Sequence, residues 1–597
     1  VVAARLSDAR TRLRLRRPPS GGTARAPACA RRGARRTRRV APHLARTMAR
    51  HRRLTYVLSD GAGAGGAGRH VAGVNALLLQ ERGASDGGAA LYTASRDSSI
   101  RRWDLRGGAP RAAGCLAQHT DWVNALALFE MHDVLVSASS DTSVRAWRAG
   151  SSEGQCLGTA RGHADYVMAI AAAAKAPRFA TAGLRGEAFV WDLNTLAVME
   201  RRGSGRTLGG GGAGSKDPSP LLSMGHAESC YAVAMDGAGK LVATGSTDNV
   251  VRLWDAREAN AKPMLLTGHQ DNVRFLLLNA DGTMALSGGS DATVRLWDLR
   301  QRRCSQTLAV HSDSVWALVA DPNWTSVISG GRDGRCVRTD LRTRESAVVF
   351  ESEHPISALA VERSQAGVWA AGPTSSVHKW FLSSPGRGRS NSFVAGTSPM
   401  AAKQAMLASS AGSADGHGAR CRSSADGSAE GGGGMAPIQR SPAATIAGGP
   451  GIVKYQALAD RRRVLTANSE GEVALWDIIR GLKTDSFGKV DFDGKLKEID
   501  TKDVVTMWFA LDARLGALAI HLDCPQCFRA ECYSVDLGLG GEDDQRVCPG
   551  DIVLRSLLAR WVAERKHGSR AGSRRGSRDK AGGKASAQQQ QQQQQQQ

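Results

Sequence analysis

A histidine, a serine or threonine, and an aspartate recur through this sequence at one fixed set of distances. In the cleanest copy His269 lies 22 residues before Asp291, Ser287 lies four before that aspartate, and Trp297 lies six after it. His119, Ser137, Asp141 and Trp147 keep the same spacing, as do His226, Thr244, Asp248 and Trp254. His311, Ser329 and Asp333 keep it with Thr339 in the tryptophan's place, and His163, Thr181 and Trp191 keep it with Arg185 where the aspartate belongs. Imidazole, carboxylate and hydroxyl are the parts of a hydrolase triad. An enzyme needs one such set, however, and five copies at one spacing argue for a different task. A buried indole N–H must find an acceptor. A loop His, a strand Ser or Thr, a turn Asp and a strand Trp can supply one as a single hydrogen-bonded chain, which fixes a unique core when every member is satisfied. These residues are therefore expected to hold the fold. The sequence assigns no catalytic residue, metal or cofactor.

A second group could do chemistry. Cys524-x-x-Cys527 with Cys532 and Cys548 has a spacing that zinc could use. The second pair is irregular and the nearest imidazole is His521, so unligated thiols are expected. The glycine tract from Gly61 to Gly68 lacks the lysine and the strand–helix context of a phosphate loop and reads as a linker.

The elements that must position the repeated residues follow from their period. Trp103, Trp147, Trp191, Trp254, Trp297, Thr339, Trp380 and Trp476 mark eight units, most of them 41 to 44 residues apart. That is the period of a four-stranded WD40 blade, and each unit reads as short β-branched runs punctuated by Gly, Ser, Asp and Asn. The expectation is an all-β fold: an eight-bladed WD40 β-propeller over 54–480, with disordered insertions at 201–219 and 383–450. Blade seven is degenerate, with only Trp380 in register. The lone strand pattern Leu54-Thr-Tyr-Val-Leu58 is expected to complete the last blade, around Trp476, and close the ring. A small α/β domain over 481–566 should follow. It contains two or three strands in 506–535 and a helix capped by Asp551, with Val553, Leu554, Leu557, Leu558, Trp561 and Val562 on one face.

The formal net charge of +23 suggests nucleic acid until it is located. Residues 1–53 carry seventeen Arg against one Asp, and 565–584 carry eight Lys or Arg against one Asp. Together these ends hold the whole excess, so 54–564 are close to neutral. Phosphate-backbone binding would depend on the ends alone and fall steeply with salt. The 1–53 segment reads as a disordered Arg-rich leader, with Met48 as the start of the protein proper, and 567–597 as a basic and poly-Gln tail. No run of eighteen apolar residues exists, so no membrane span is expected. Eleven scattered cysteines suit a reducing compartment.

A propeller offers partners the loops that enter its innermost strands. An aspartate at 121, 165, 271 and 313 precedes each such strand, and residues one and three beyond it should reach the rim. Trp122, Tyr166, Arg274 and Trp316 occupy those places, and Arg332 sits just before the turn Asp333. Exposed Trp, Tyr and Arg are the residues of binding hot spots. These five are the expected partner-binding set.

At these residues the sequence resembles a particular family. Thr93-Ala-Ser-Arg-Asp-Ser-Ser-Ile, His119-Thr-Asp-Trp-Val-Asn, Ser137-Ala-Ser-Ser-Asp-Thr, Gly268-His-Gln-Asp-Asn-Val and Ser329-Gly-Gly-Arg-Asp look like the WD repeat-containing protein 48 family, the WD-repeat cofactors of ubiquitin-specific proteases. The resemblance runs from about Tyr56 to Trp561. It implies an eight-bladed propeller with an ancillary domain, located in nucleus and cytoplasm. It further implies a non-catalytic scaffold that grips the fingers subdomain of a ubiquitin-specific protease and activates deubiquitination, with ubiquitinated proteins as clients. The family's contact positions match Arg274 (where the family has Lys), Trp316 and Arg332, with Tyr166 and Trp122 as neighbours. The family continues into SUMO-like domains, where this sequence passes into basic and poly-Gln stretches. The alternative is a substrate receptor of a cullin-type ubiquitin ligase. It rests on Trp103-Asp-Leu-Arg106, Trp254-Asp-Ala-Arg257 and Trp297-Asp-Leu-Arg300, which resemble the W-D-x-R motif of such receptors.

Overall fold

The structure is a computed structural model that describes residues 54–58, 68–81, 89–150, 154–196, 218–258, 262–382, 437–500, 505–522, 526–533, 545–557 and 559. The leader, most of both insertions, Cys524, Leu558, Trp561, Val562 and the tail fall outside them. Two compact units divide the chain. Ala64–Gly451 with Arg514–Ala517 form one, and Val1–Gly63, Ile452–Ala513 and Leu518–Gln597 form the other.

The first unit holds seven four-stranded antiparallel sheets, each a meander in chain order. Blade one spans 74–116, blade two 123–160, blade three 167–225, blade four 230–266, blade five 273–308, blade six 315–351 and blade seven 358–446. Innermost strands of consecutive blades lie side by side, and Ala358–Val361 of blade seven lies against Val74–Glu81 of blade one. The ring therefore closes at seven. At the seam Val74 N donates to Gly372 O (3.0 Å), and Val74, Leu91 and Trp103 pack with Ala371, Val377 and Ile446.

What wedges neighbouring blades together in blades one to six is one fully buried residue at the head of the innermost strand: Val74, Val123, Val167, Cys230, Val273 and Val315. The preceding blade must leave room for it. A Cβ on Gly288 would stand 2.9 Å from Val315 Cγ1, so a side chain there would force the wedge valine to shift.

Inside the blades the repeated residues form the expected chain. In blade five His269 Nδ1 meets Asp291 at 3.0 Å, its Nε2 meets Ser287 Oγ at 2.6 Å, and Trp297 Nε1 donates to that same Oγ at 2.8 Å. Indole can only donate and an ionised carboxylate can only accept. One arrangement satisfies all four groups: Nδ1 donates to the aspartate, Nε2 accepts from the hydroxyl, and the hydroxyl oxygen accepts from the indole. Blade two repeats it with 2.8, 2.7 and 2.8 Å. Blade six repeats the first two links, at 3.1 and 2.8 Å, and Thr339 turns instead to Ser346.

Blades three and four depart further from the pattern, and blade one keeps it with a histidine at a different spacing. In blade four Arg252 stands between His226 and Asp248, pairing with the carboxylate at 2.5 Å and donating to Nδ1 at 3.3 Å. A guanidinium cannot accept, so the histidine proton moves to Nε2. Thr244 Oγ1 then accepts from both His226 (2.9 Å) and Trp254 (2.8 Å), and Asp248 is no direct member of the chain. In blade three Glu187 takes over from the missing aspartate by accepting the Ala164 N–H at 2.8 Å, while His163 Nδ1 lies 3.7 Å from the same carboxylate, too far for a hydrogen bond. Blade one is completed by His70, which bonds Asp97 at 2.8 Å and Thr93 at 2.6 Å.

The second unit contains the eighth four-stranded sheet, 452–489, built as the blades are, with Trp476 donating to Thr466 at 2.9 Å. Sequence reasoning expected this sheet inside the ring and the propeller to run to 480. The sheet is there, but it belongs to the other unit. The strand Leu54–Val57 does not complete it, and pairs instead with Ala519–Leu522, which also pairs with Ala510–Asp512. The physical reason lies in burial. Tyr56 and Leu58 are matched by Leu518, Ile520, Leu522, Trp476 and Trp508 in one core, a richer apolar neighbourhood than a sheet edge supplies. Two boundaries also move. The segment expected as a disordered insertion to 450 contributes Ala444–Ile446 as the outer strand of blade seven. The C-terminal helix is already helical at 549–557, ahead of Asp551, which pairs with Arg555 at 2.7 Å and caps nothing. Val553, Leu554 and Leu557 pack into the unit's core as expected.

The blade chains differ in how much one hydroxyl carries, and stability measurements can read the difference. Ser287→Ala strands both His269 and Trp297, whereas Ser329→Ala strands only His311. Each buried polar group left unsatisfied costs about 1–3 kcal/mol. Chemical denaturation of the two variants should give about twice the loss for S287A; equal losses would contradict the shared-hydroxyl account.

Candidate protein-docking face

The rim residues are placed by a second repeated device. In blades one to six the innermost strand shifts register just after its buried wedge residue, leaving one residue outside the ladder. A bulge of this kind re-aims a side chain. The bulged residues are Asn75, Asn124, Met168, Tyr231, Arg274 and Trp316. The residue before the wedge is held as regularly. Its carbonyl accepts the N–H of the residue preceding the turn acid or its counterpart: Gly73 from Arg96, Trp122 from Ser140, Tyr166 from Leu184, Ser229 from Thr247, Asn272 from Ser290 and Ser314 from Arg332, at 2.8 to 3.0 Å. One bond repeated six times sets the loop beside the turn at the same end of each blade. Trp122, Tyr166, Arg274, Trp316 and Arg332 therefore share one face of the ring.

The hydrogen-bonded chain holds this face from below. Asp141, Asp291 and Asp333 each accept the backbone N–H of the residue after the histidine, from Thr120, Gln270 and Ser312, at 3.0 to 3.1 Å. The carboxylate thus clamps the loop that carries the rim side chains. Burial alone would raise the Asp141 carboxyl, but the hydrogen bonds it accepts from His119 and Ser143 hold it well below the ordinary carboxylate range. The hydroxyls are not nucleophiles, since Ser137, Ser287 and Thr244 are fully buried and already committed to His and Trp.

The five sequence-assigned residues are not equivalent. Trp122 is engaged by its own unit: its Nε1 donates to Arg514 O at 3.1 Å, and the Arg96 guanidinium lies 5.0 Å from its ring centroid. Asn75 and Asn124 are likewise tied into their neighbours, Asn75 Nδ2 donating to Val123 O and Asn124 Oδ1 at 3.3 Å and Asn124 Nδ2 to Val167 O at 2.9 Å. The rim of blades one and two is thus satisfied from within. Blades three to six are different. Tyr166 is 38 % exposed, Trp316 is half-buried yet joins none of the hydrophobic cores, and the Arg332 side chain is 59 % exposed beside Asp313 at 3.7 Å. Arg274 donates through Nε to Ser290 Oγ at 3.1 Å, and its guanidinium lies 4.3 Å from the centroid of Tyr231. Sequence reasoning missed Tyr231 because Glu228 and Cys230 replace the Asp and Val that flag the other loops.

The W-D-x-R arginines lie at the far ends of other strands. Arg106 and Arg257 fold back onto Asp104 and Asp255 at 2.5 Å. Of the cysteines, the Cys548 thiol points to Cys527 O at 3.4 Å and that of Cys532 to Val547 O at 3.7 Å. Among the described residues no group of three or more His, Cys, Asp or Glu could hold a metal, and no helix is long and apolar enough to cross a membrane.

Residues 112–148, 218–255, 262–298 and 302–337 match the family described as WD domain, G-beta repeat. Each matched segment begins in or beside the outermost strand of one blade and runs into the third strand of the next, so the sequence repeat straddles the structural one. These repeats support a WD-repeat protein, and WD40 repeats indicate a protein-interaction scaffold.

The two blades whose histidines make no direct bond to an aspartate are acid-sensitive. Burial pulls His163 down from its ordinary 6.5 to about 4, and burial with the Arg252 charge does the same to His226. Below pH 6.5 the unfolded chain takes up protons that these folded blades refuse, so stability falls as pH drops from 6.5 toward 4. The depressed aspartates act only lower, where the unfolded carboxylates protonate. Melting temperature should fall on the order of 5 °C between pH 6.5 and 4.5, and H163Q and H226Q should each flatten that decline. An unchanged slope in both variants would contradict the assignment.

Proposed function

We propose that the ring is a non-catalytic docking platform for a ubiquitin-specific protease, engaging its fingers subdomain through blades three to six and raising its deubiquitinating activity. The observation that carries this reading is the grouping of Arg274, Trp316 and Arg332 on adjacent blades of one face, outside the blade chains and outside the cores. The family resemblance assigns contact to those same three positions. In this reading Trp316 fills an apolar pocket on the protease, and Arg274 and Arg332 pair with its carboxylates, as aromatic and arginine anchors do in other interfaces. Trp122 is left out, because its indole is spent on Arg514.

Activation at a distance requires tighter binding to the active protease conformation than to the inactive one. A tenfold preference corresponds to about 1.4 kcal/mol, which a single anchor of this type can supply. The test uses the whole chain, purified ubiquitin-specific protease catalytic domains, and hydrolysis of a fluorogenic ubiquitin substrate. The unaltered chain should bind at least one of them and raise its turnover. Trp316→Ala and Arg332→Asp should each lower affinity at least tenfold and remove the activation, with the melting temperature unchanged. Full activation by both variants would refute the site.

A further inference from the structure

We infer that Tyr231 is a positioning residue for docking: its ring is the floor that holds the Arg274 guanidinium in its binding pose. The inference rests on the docking reading above and extends it to a residue that neither the repeat spacing nor the family resemblance assigned.

The geometry comes from two bulges in adjacent blades. Cys230 pairs with Ser246 and Ala232 with Gly245, which leaves Tyr231 outside the ladder of blade four. Val273 pairs with Gly289 and Phe275 with Gly288, which leaves Arg274 outside the ladder of blade five. Both side chains are thereby re-aimed at the same rim, and the Arg274 guanidinium carbon lies 4.3 Å from the Tyr231 ring centroid. Ser290 Oγ takes the Nε–H at 3.1 Å and fixes the guanidinium along its edge. A long flexible side chain is thus held at two points before any partner arrives. Among the described residues, no acceptor takes the terminal nitrogens of Arg274.

The contrast with Arg332 shows what the floor adds. Arg332 is a similar rim cation, but among the described residues its side chain has Asp313 beside it at 3.7 Å and no ring beneath it. Arginine stacks on aromatic faces through its planar guanidinium. Held over the ring in this way, it offers its terminal N–H groups to a carboxylate as a fork, and freedom that would otherwise be lost on binding is already given up. The Tyr231 hydroxyl plays no part in this; the ring face does. Tyr231 belongs to none of the hydrophobic cores and is half-buried, so its removal leaves the blade intact.

A double-mutant cycle tests the inference, using the full chain and whichever purified ubiquitin-specific protease catalytic domain the unaltered chain binds most tightly. Tyr231→Ala should weaken binding three- to tenfold with no change in melting temperature, and Tyr231→Phe should restore it. In an Arg274→Ala background Tyr231→Ala should cost nothing further. In a Trp316→Ala background it should cost its full factor. An equal loss in the Arg274→Ala background, or no loss in the single variant, would overturn the positioning role while leaving the docking site in place. If the unaltered chain binds no such catalytic domain, or if Arg274→Ala and Trp316→Ala bind as it does, the docking reading falls and this inference falls with it.

Discussion

One carboxylate on a tight turn organises each complete blade. By accepting both the histidine Nδ1–H and the next backbone N–H, it ties the incoming loop to the turn between the second and third strands. The histidine passes the connection inward to a buried hydroxyl, and the hydroxyl passes it to the indole of the third strand. Three strands and a loop are thereby locked to each other by groups with no other way of being satisfied. The penalty for a broken link is what makes the lock effective, because every member is buried and none can turn to water. Where a link is replaced, another group takes up its role: Glu187 in blade three, Arg252 in blade four, His70 from a longer distance in blade one.

The candidate docking face follows from that lock. A loop free to move would present its side chains in many poses. A loop clamped at its base, followed by a buried wedge and a bulge, presents one residue per blade in a defined direction. The scaffold therefore repeats while the bulged residue varies: Asn, Asn, Met, Tyr, Arg, Trp. On blades one and two those residues are used up on neighbours, as the adjacent Trp122 is on Arg514. On blades four to six they are large, and a guanidinium lies over a tyrosine ring. The division between a self-satisfied sector and an open one is a property of side chains alone, laid over backbones that are nearly the same.

Much of this was legible in the sequence. Spacing alone identified the blade chains, the strands and the face on which Trp122, Tyr166, Arg274, Trp316 and Arg332 lie, because a hydrogen-bonded chain constrains separations along the strand. It failed where separation is not what matters. The hairpin of blade one is longer, so His70 stands 27 residues from Asp97 and escaped notice. Asp248 kept its spacing although Arg252 had taken its bond. The eighth sheet carries a blade's internal signals, Thr466 to Trp476, because those signals concern strands within a sheet. Which sheets share a ring depends instead on the contact between Ala358–Val361 and Val74–Glu81, about which periodicity says nothing. The use of Trp122 by Arg514 joins residues far apart in sequence and was equally out of reach.

The central claim is that the bulge rim of blades three to six is where a ubiquitin-specific protease lands. Amide hydrogen exchange on the whole chain, with and without a purified protease catalytic domain that it activates, tests this directly. Slowed exchange should be confined to the rim segments around Tyr166, Tyr231, Arg274, Trp316 and Arg332, with the rim of blades one and two unchanged. Slowed exchange at the turns of Arg106 and Arg257 instead, with none at Arg274, Trp316 and Arg332, would contradict it.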